Sequence, residues 1–306
     1  MESSTNRLIK IAEAIVKICR KARIPAYSCR KSKHVYKQEQ HVAVVCLMKY
    51  FRMHYRGVVQ LLELTPAIMR VIGIKRMPHY TTIQKFFKRF SSTKVECLLR
   101  ETVNLFGING SVLAIDSIGF SSNTSSRYYA MIKYRQSGGV WRSSYIKNAA
   151  SVDTESQAIV SVTPKKVHTS DYMDLIPLAK RSSRVVSIGT VVADRGYDSE
   201  ENNRFVRYGL KARNVIRVRT GTKCKKRNGR LRKEAEASFD WETYSRRNVV
   251  EMVFSVIKRR FGDTLYSRSL RIQKKELKLM CIVYNLHRYV NNVNCLIWRY
   301  VFYKAV

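Results

Sequence analysis

The sequence predicts an α/β core around a mixed sheet, preceded by an all-helical N-terminal region. Three observations carry this. Up to about residue 107, apolar residues recur at helical spacing, with helix-start signals between the runs. Beyond Gly107 the texture changes to short, near-continuous apolar runs, as in SVLAIDSIGF (Ser111–Phe120) and VVSIGTVVA (Val185–Ala193). Such runs suit strands buried on both faces. Around and after them, strand patterns alternate with helical ones, the order of an α/β domain.

In the first part, Asn6–Arg23 places Leu8, Ile11, Ala12, Ile15, Ile18 and Cys19 on one helical stripe. Further helices are expected over Gln38–Met53 and Tyr55–Leu64. Thr65-Pro66 reads as a cap followed by proline in a first turn. Thr81 or Thr82 reads as the cap of IQKFFKRF, which carries aromatics on one side and Lys85, Lys88 and Arg89 on the other. Short helices ending in a basic one fit a helix-turn-helix DNA reader; a solvated basic face is the plainer alternative.

In the second part, Ser111–Phe120 is a strand, and Tyr145–Val152 and Ala158–Val167 form a hairpin about Asp153–Gln157. A helix over Asp171–Ala179 leads to a strand over Val185–Ala193, which ends at Asp194-Arg195-Gly196. Ser199–Tyr208 is a helix and Asn214–Val218 a short strand. Arg219–Lys233 holds eight Lys or Arg in fifteen residues and reads as an exposed basic loop or ribbon. One helix is expected over Tyr244–Phe261 and a closing amphipathic one over Lys274–Asn291. The expected division is a helical, DNA-binding region 1–108 and an α/β region 109–306 with a basic insert near 219–240.

Charge narrows the partner. Among 306 residues, 58 Lys and Arg face 22 Asp and Glu, a formal +36. So much positive charge repels itself unless a polyanion compensates it, and nucleic acid is the usual one. An anionic membrane surface or a generally basic proteome are the bland alternatives. No run approaches the roughly 20 apolar residues of a membrane span, and Met1–Asn6 lacks the apolar core of a signal peptide. Seven scattered cysteines with no C-x-x-C pair argue against zinc and for a reducing compartment. Cys46 in VVCLM and Cys281 in LMCIV read as buried thiols. The expectation is a cytoplasmic, nucleoid-associated protein.

Three acids stand out. Asp116 interrupts an apolar strand, where an ionised carboxylate costs several kcal/mol unless compensated. Asp194 repeats the situation at the end of VVAD. One such Asp is as well explained by a turn or an ion pair. Two on separate strands suggest a site at the strand ends. On a continuous helix, Tyr244, Arg247, Glu251 and Lys258 fall within about 60° of arc, opposite Val250, Val253, Phe254, Ile257 and Phe261. An ordinary i,i+4 pair between Arg247 and Glu251 is the simpler reading of that face. Asp171 reads as a helix-start residue and His168 as a surface or core histidine; Trp141 and Trp241 could stack on a flipped base, although cores hold most tryptophans.

These residues carry a resemblance. The sequence resembles the DDE-type insertion-sequence transposases that bear a Tyr-x2-Arg-x3-Glu-x6-Lys signature, which Tyr244, Arg247, Glu251 and Lys258 match without a gap. AIDS (Ala114–Ser117) and ADRGYDS (Ala193–Ser199) look like that family's first and second catalytic blocks. The likeness runs over roughly residues 35–290. It implies a ribonuclease H-like core: a five-stranded mixed sheet flanked by helices. Only 56 residues separate Asp194 from Glu251, which leaves no room for a large inserted domain. It further implies that Asp116, Asp194 and Glu251 hold two Mg2+ ions, for which Mn2+ substitutes. Hard cations prefer oxygen ligands, and two of them about 3.5–4 Å apart drive in-line cleavage of a phosphodiester. Tyr244, Arg247 and Lys258 would then bind phosphates near the transposon end. The implied partners are the double-stranded DNA of terminal inverted repeats and target, engaged by a homodimer assembled on DNA. A structure-specific nuclease of the same fold, or an inactive DNA-binding regulator, stay open beside the transposase.

Overall fold

The computed structural model describes residues 4–122, 131–132, 135–136, 145–166, 170–219 and 229–303. Trp141, His168 and positions 220–228 of the basic stretch lie outside the described residues. The chain forms two compact units, Met1–Phe106 with Lys278–Val306, and Gly107–Leu277. A single cut along the sequence therefore misses the return of the chain's end to the first unit. The reason is apolar: Leu279 and Ile282 line the same small cavity as Val42, Val45 and Phe87.

Helices α1 (Ser4–Lys21), α2 (Gln38–Tyr50), α3 (Tyr55–Glu63), α4 (Pro66–Val71), α5 (Tyr80–Arg89) and α6 (Ser92–Asn104) belong to the first unit. The hub is α2, in which Val42 through Leu47 are all buried. A helix apolar on every side must be wrapped by others. The stripe of α1 is buried as its spacing requires, at Ile11, Ala12, Ile15, Ile18 and Cys19. Cys46 and Cys281 are likewise buried. Pro66 opens α4, although the Thr65 hydroxyl donates back to the Leu61 and Leu62 carbonyls and caps nothing. The start of α5 is earlier than the threonines suggest: His79 occupies the cap position. Thr81 sits within the first turn, its hydroxyl 2.8 Å from His79 Nδ1.

The second unit holds β1 (Ser111–Ser122), β2 (Tyr145–Asp153), β3 (Ile159–Lys165), β4 (Ile188–Ala193), β5 (Arg213–Ile216) and the two-residue β6 (Thr264–Leu265). The order is β3-β2-β1-β4-β5, with β6 pairing the far end of β1. The strands β1, β2 and β3 run antiparallel, whereas β4, β5 and β6 are parallel to β1 or to each other along the path. The sixth strand is a correction to the expected five; a two-residue pairing leaves no period to read. Helix α7 (Tyr172–Ser182) precedes β4, which starts at Ile188 and not at Val185. Val185 and Val186 still donate to the Ser182 carbonyl, so they finish the helix end. After β4 come α8 (Glu200–Arg204), which runs into a π-helical turn at Phe205–Gly209, then α9 (Arg230–Ala237), α10 (Trp241–Ser245), α11 (Asn248–Phe261) and α12 (Leu270–Tyr303). No described helix is long and apolar enough to cross a membrane.

The hairpin turn is fixed by Asp153, which is 2% exposed. Its carboxylate accepts from Ser111 Oγ at 2.6 Å and from the Ser156 backbone N–H at 2.8 Å. Asp153→Ala leaves a buried serine hydroxyl unpaired and frees the turn. A loss of about 2–3 kcal/mol is expected, readable as a lowered midpoint in urea unfolding followed by circular dichroism.

Candidate active site

The site begins with strand register. Parallel pairing of β1 with β4 ends at Ile115 opposite Ala193. The next residues on each strand are Asp116 and Asp194. Residues level on neighbouring strands point to the same face, and strands lie about 4.8 Å apart, so two carboxylates are forced side by side. Burial pushes the Asp116 carboxyl up to about 6, and the charges of Asp194 and Glu251 add to the rise. The Ser117 N–H, donating to Asp116 Oδ1 at 2.7 Å, and the Arg247 cation work the other way.

Glu251 reaches this pair through Arg247. Arg247 Nη1 lies 2.6 Å from Glu251 Oε1 and 3.5 Å from Asp116 Oδ2. Burial disfavours the guanidinium's charge, but the hydrogen bond it donates to Glu251 and the negative charges around it together outweigh that, and the pKa of Arg247 is raised. Glu251 itself is more than half exposed. Oxygen-only donors suit a hard cation such as Mg2+. The crowding of Asp116 by Asp194 and Glu251 is what such a cation relieves. Among the described residues, no three His, Cys, Asp or Glu side chains converge closely enough to form one metal-binding group. The cation that stands between Asp116 and Glu251 here is the guanidinium of Arg247.

The single helix expected over Tyr244–Phe261 is interrupted by a turn at Arg246 and Arg247, which corrects its continuity. Tyr244 lies in α10, and Arg247 precedes α11. The backbone N–H groups of Arg246 and Arg247 donate to Thr243 and Tyr244, three residues back. Such tighter winding turns about 120° per residue, so that residues three apart eclipse, and it keeps Tyr244 in line with Arg247. The ring of Tyr244 still lies 5.9 Å from the Arg247 guanidinium. Lys258 places its ammonium 5.8 Å from the ring centre of Phe120 on β1.

The segment after β4 has a use for each residue. Gly196 donates its N–H to Asp194 Oδ1. A Cβ there would come within 2.7 Å of that oxygen, so the turn accepts only glycine without moving the carboxylate. Tyr197 is wholly buried. Asp198 is also buried and takes Arg232 through both carboxylate oxygens, together with the Arg219 N–H at 2.9 Å. Arg219 in turn grips the Arg195 and Gly196 carbonyls at 2.7 and 2.9 Å. Both feet of the basic stretch are thus tied to the loop that carries Asp194. Its C-terminal part, from Arg230, is the helix α9 and not loop or ribbon.

Sequence reasoning missed Asp171. It occupies the cap position of α7 but its side chain caps nothing. Instead Oδ1 accepts from Ser117 Oγ at 2.9 Å and pairs with Lys147 Nζ at 2.6 Å. Lys147 also contacts the fully buried Asp174, which binds Lys165 as well. Only tertiary pairing reveals these partners, which lie on β1, β2 and β3. Trp241 is 63% exposed, so of the two readings open for it the core one falls away. It forms an aromatic group with Phe239 and Tyr244 beneath the Arg217 guanidinium.

Lys85, Lys88 and Arg89 are exposed on α5 in the first unit. Lys85 and Arg89 line a groove of about 800 Å3 with Lys31, Lys33 and Lys94. Tyr27 stacked on His34 and His41 stacked on Phe86 lie along the same groove. Cations and flat rings together suit a nucleic-acid strand.

The electrostatics carry a testable cost. A carboxyl whose folded pKa is raised binds its proton more tightly when folded, so its contribution favours the fold below pH 4 and is lost as pH rises through about 6. In a chelator, Asp116→Asn is expected to raise stability at pH 7.5 by about 1–2 kcal/mol, with the gain vanishing near pH 4 in denaturant titrations.

The family described as "Transposase DDE domain" matches residues 108–286. No curated protein is similar enough to count as a match. Among solved structures, the cryo-EM structure of a piggyBac transposase synaptic complex with hairpin DNA aligns at 11% identity and a TM-score of 0.45. The alignment covers 92% of this chain and 71% of that one. That likeness is too loose to add to the family match. The matched residues span more than half of the chain and include Asp116, Asp194, Arg247 and Glu251, and the protein belongs to the transposase DDE domain family.

Proposed function

We propose that this protein is a DNA transposase. In this reading it binds the terminal inverted repeats of its own element, cuts them by hydrolysing phosphodiesters, and joins the freed 3′ ends to target DNA. The observation that carries the reading is the register of β1 on β4, which sets Asp116 and Asp194 level on one face, with Glu251 linked to Asp116 through Arg247. The strand order β3-β2-β1-β4-β5, antiparallel for the first three and parallel for the rest, supports a ribonuclease H-like core.

Asp116, Asp194 and Glu251 are the residues that would hold two Mg2+ ions. Bound there, such ions would supply activation of the attacking water or 3′ hydroxyl and stabilisation of the leaving oxygen. The chain's own residues prepare that role. The Ser117 and Gly196 N–H groups orient the two aspartates. Arg247 neutralises the cluster in the free protein, and for Glu251 to join Asp116 as a ligand the guanidinium has to turn away. Once turned, it is free to pair bidentately with a DNA phosphate, as Arg does best. Tyr244 and Lys258 would contact phosphates beside it. The formal charge of +36 and the basic groove on α5 supply the general attraction to DNA. Joining two ends in one event requires two copies, so the assembly on DNA is a homodimer.

The deciding experiment incubates the protein with DNA carrying the gene's own flanks, with and without Mg2+, and maps every cut. Metal-dependent cuts at the element's ends are expected; their absence sinks the transposase reading. Asp116→Asn, Asp194→Asn and Glu251→Gln should each abolish cutting while end binding persists in gel-shift assays, and full cleavage by any of them removes that residue from the set. Gly196→Ala shifts the Asp194 carboxylate, and a fall of about a hundredfold in rate is expected from a displacement near 1 Å, with the fold retained. Lys258→Ala is expected to lower the slope of log affinity against log salt by about 1. An unchanged slope counts against its phosphate contact.

A further inference from the structure

Asp171 is an acid at the site that the reading above leaves without a role. An Asp at a helix start ordinarily accepts from the helix's own N–H groups, yet this one does not. It is spent on Ser117 and Lys147 instead. Burial alone would weaken the hold of Lys147 on its proton, but its hydrogen bonds to Asp171 and Asp174 keep its pKa above the ordinary value. With Lys165 on the far side of Asp174, the two acids and two lysines form a charge-balanced chain that fixes the Asp171 carboxylate. Such a part-buried set adds little net stability, because desolvation offsets the attraction. What it does supply is position.

The position bears on both strand aspartates. Ser117 is the shared piece: its N–H holds Asp116 Oδ1 at 2.7 Å, and its hydroxyl is held by Asp171 at 2.9 Å. On the other side, Asp171 Oδ2 lies 3.4 Å from the point where a Cβ on Gly196 would stand, and Asp194 Oδ1 lies 2.7 Å from that same point. Asp171 therefore touches the local support of Asp116 and flanks the turn that supports Asp194. Tyr197, wholly buried, is near enough to both acids that the charges of Asp116 and Asp171 add to burial in raising its pKa.

We propose that Asp171 is a positioning residue of the cleavage centre, which fixes Asp116 through Ser117 and buttresses the Gly196 turn that carries Asp194. The inference rests on the proposed function, since the pair it positions is the one assigned there to cleavage. Partners that orient metal-binding carboxylates typically change affinity or activity by about 10–100-fold when removed. A helix-start residue with a purely structural role would change only the fraction folded.

The test uses the full chain and end-bearing DNA. Initial cleavage rates are measured against DNA concentration in Mg2+, per folded molecule, for wild type, Asp171→Ala, Asp171→Asn, Ser117→Ala, the Asp171→Ala/Ser117→Ala double variant and Asp116→Asn. Mn2+ binding to the DNA-free proteins is read in parallel by electron paramagnetic resonance. The expected result is a fall of about 10–100-fold in kcat for Asp171→Ala and Ser117→Ala, with KM for DNA unchanged. Asp171→Asn, which keeps an oxygen acceptor for Ser117, should recover most of the rate. The double variant should be no slower than the slower single, because both act through one contact. Mn2+ affinity should fall in step with kcat. Wild-type kcat and Mn2+ affinity in folded Asp171→Ala overturn the proposal, as do single losses that multiply in the double variant. If Asp116→Asn is inactive while Asp171→Ala is not, only this inference fails. A wild type that neither cuts DNA nor binds Mn2+ overturns the proposed function, and this inference with it.

Discussion

Everything at the candidate site follows from one constraint: β1 and β4 pair in parallel so that Asp116 and Asp194 stand level on the same face. Two carboxylates at strand spacing repel each other, and the partial burial of Asp116 raises the cost further. A sheet under selection for stability alone would place valine at either position. The neighbours are arranged around that cost. Backbone N–H groups from Ser117 and Gly196 accept the burden of orienting the two oxygens, and the Arg247 guanidinium offsets their charge from the side of Glu251.

The compensation spreads outward in layers. Ser117 and the Gly196 turn support the aspartates directly. Asp171, Lys147, Asp174 and Lys165 tie β1, β2, β3 and the start of α7 together with charges in place of apolar contacts. On the other flank, buried Asp198 anchors Arg219 and Arg232, so the basic stretch is hinged to the loop bearing Asp194. Glu200 adds to this by accepting the Leu231 and Arg232 N–H groups at the start of α9. Arg219 and Arg232, the described feet of that basic stretch, are thereby fixed to the loop that carries Asp194.

The strand aspartates were legible because an apolar run has no structural use for a charge, and that argument needs no partner. Glu251 was legible only through the spacing of its signature, since an exposed Glu near an Arg is otherwise an ordinary helix pair. The same spacing misled on continuity: helical offsets suggest one unbroken helix, but the winding tightens through Arg246 and Arg247 and divides it in two. Trp241 stayed open in the sequence, because size favours burial while only tertiary packing places it exposed beneath Arg217.

By itself the sequence determined the helical runs of the first region, the buried strands, the two aspartates that interrupt or end them and the excess of positive charge. Each of these is a property of period or composition, which local residues carry without knowing their neighbours, whereas Glu251 came forward only through the resemblance of its signature. Only the tertiary structure decided that the end of the chain returns to the first unit, that a sixth strand extends the sheet beside β1, and that Arg247 stands between Asp116 and Glu251. It also turned Asp171 from a helix-start residue into a partner of Ser117 and Lys147. These depend on contacts between residues tens of positions apart, which no local period encodes, since register and packing are settled only when the strands meet.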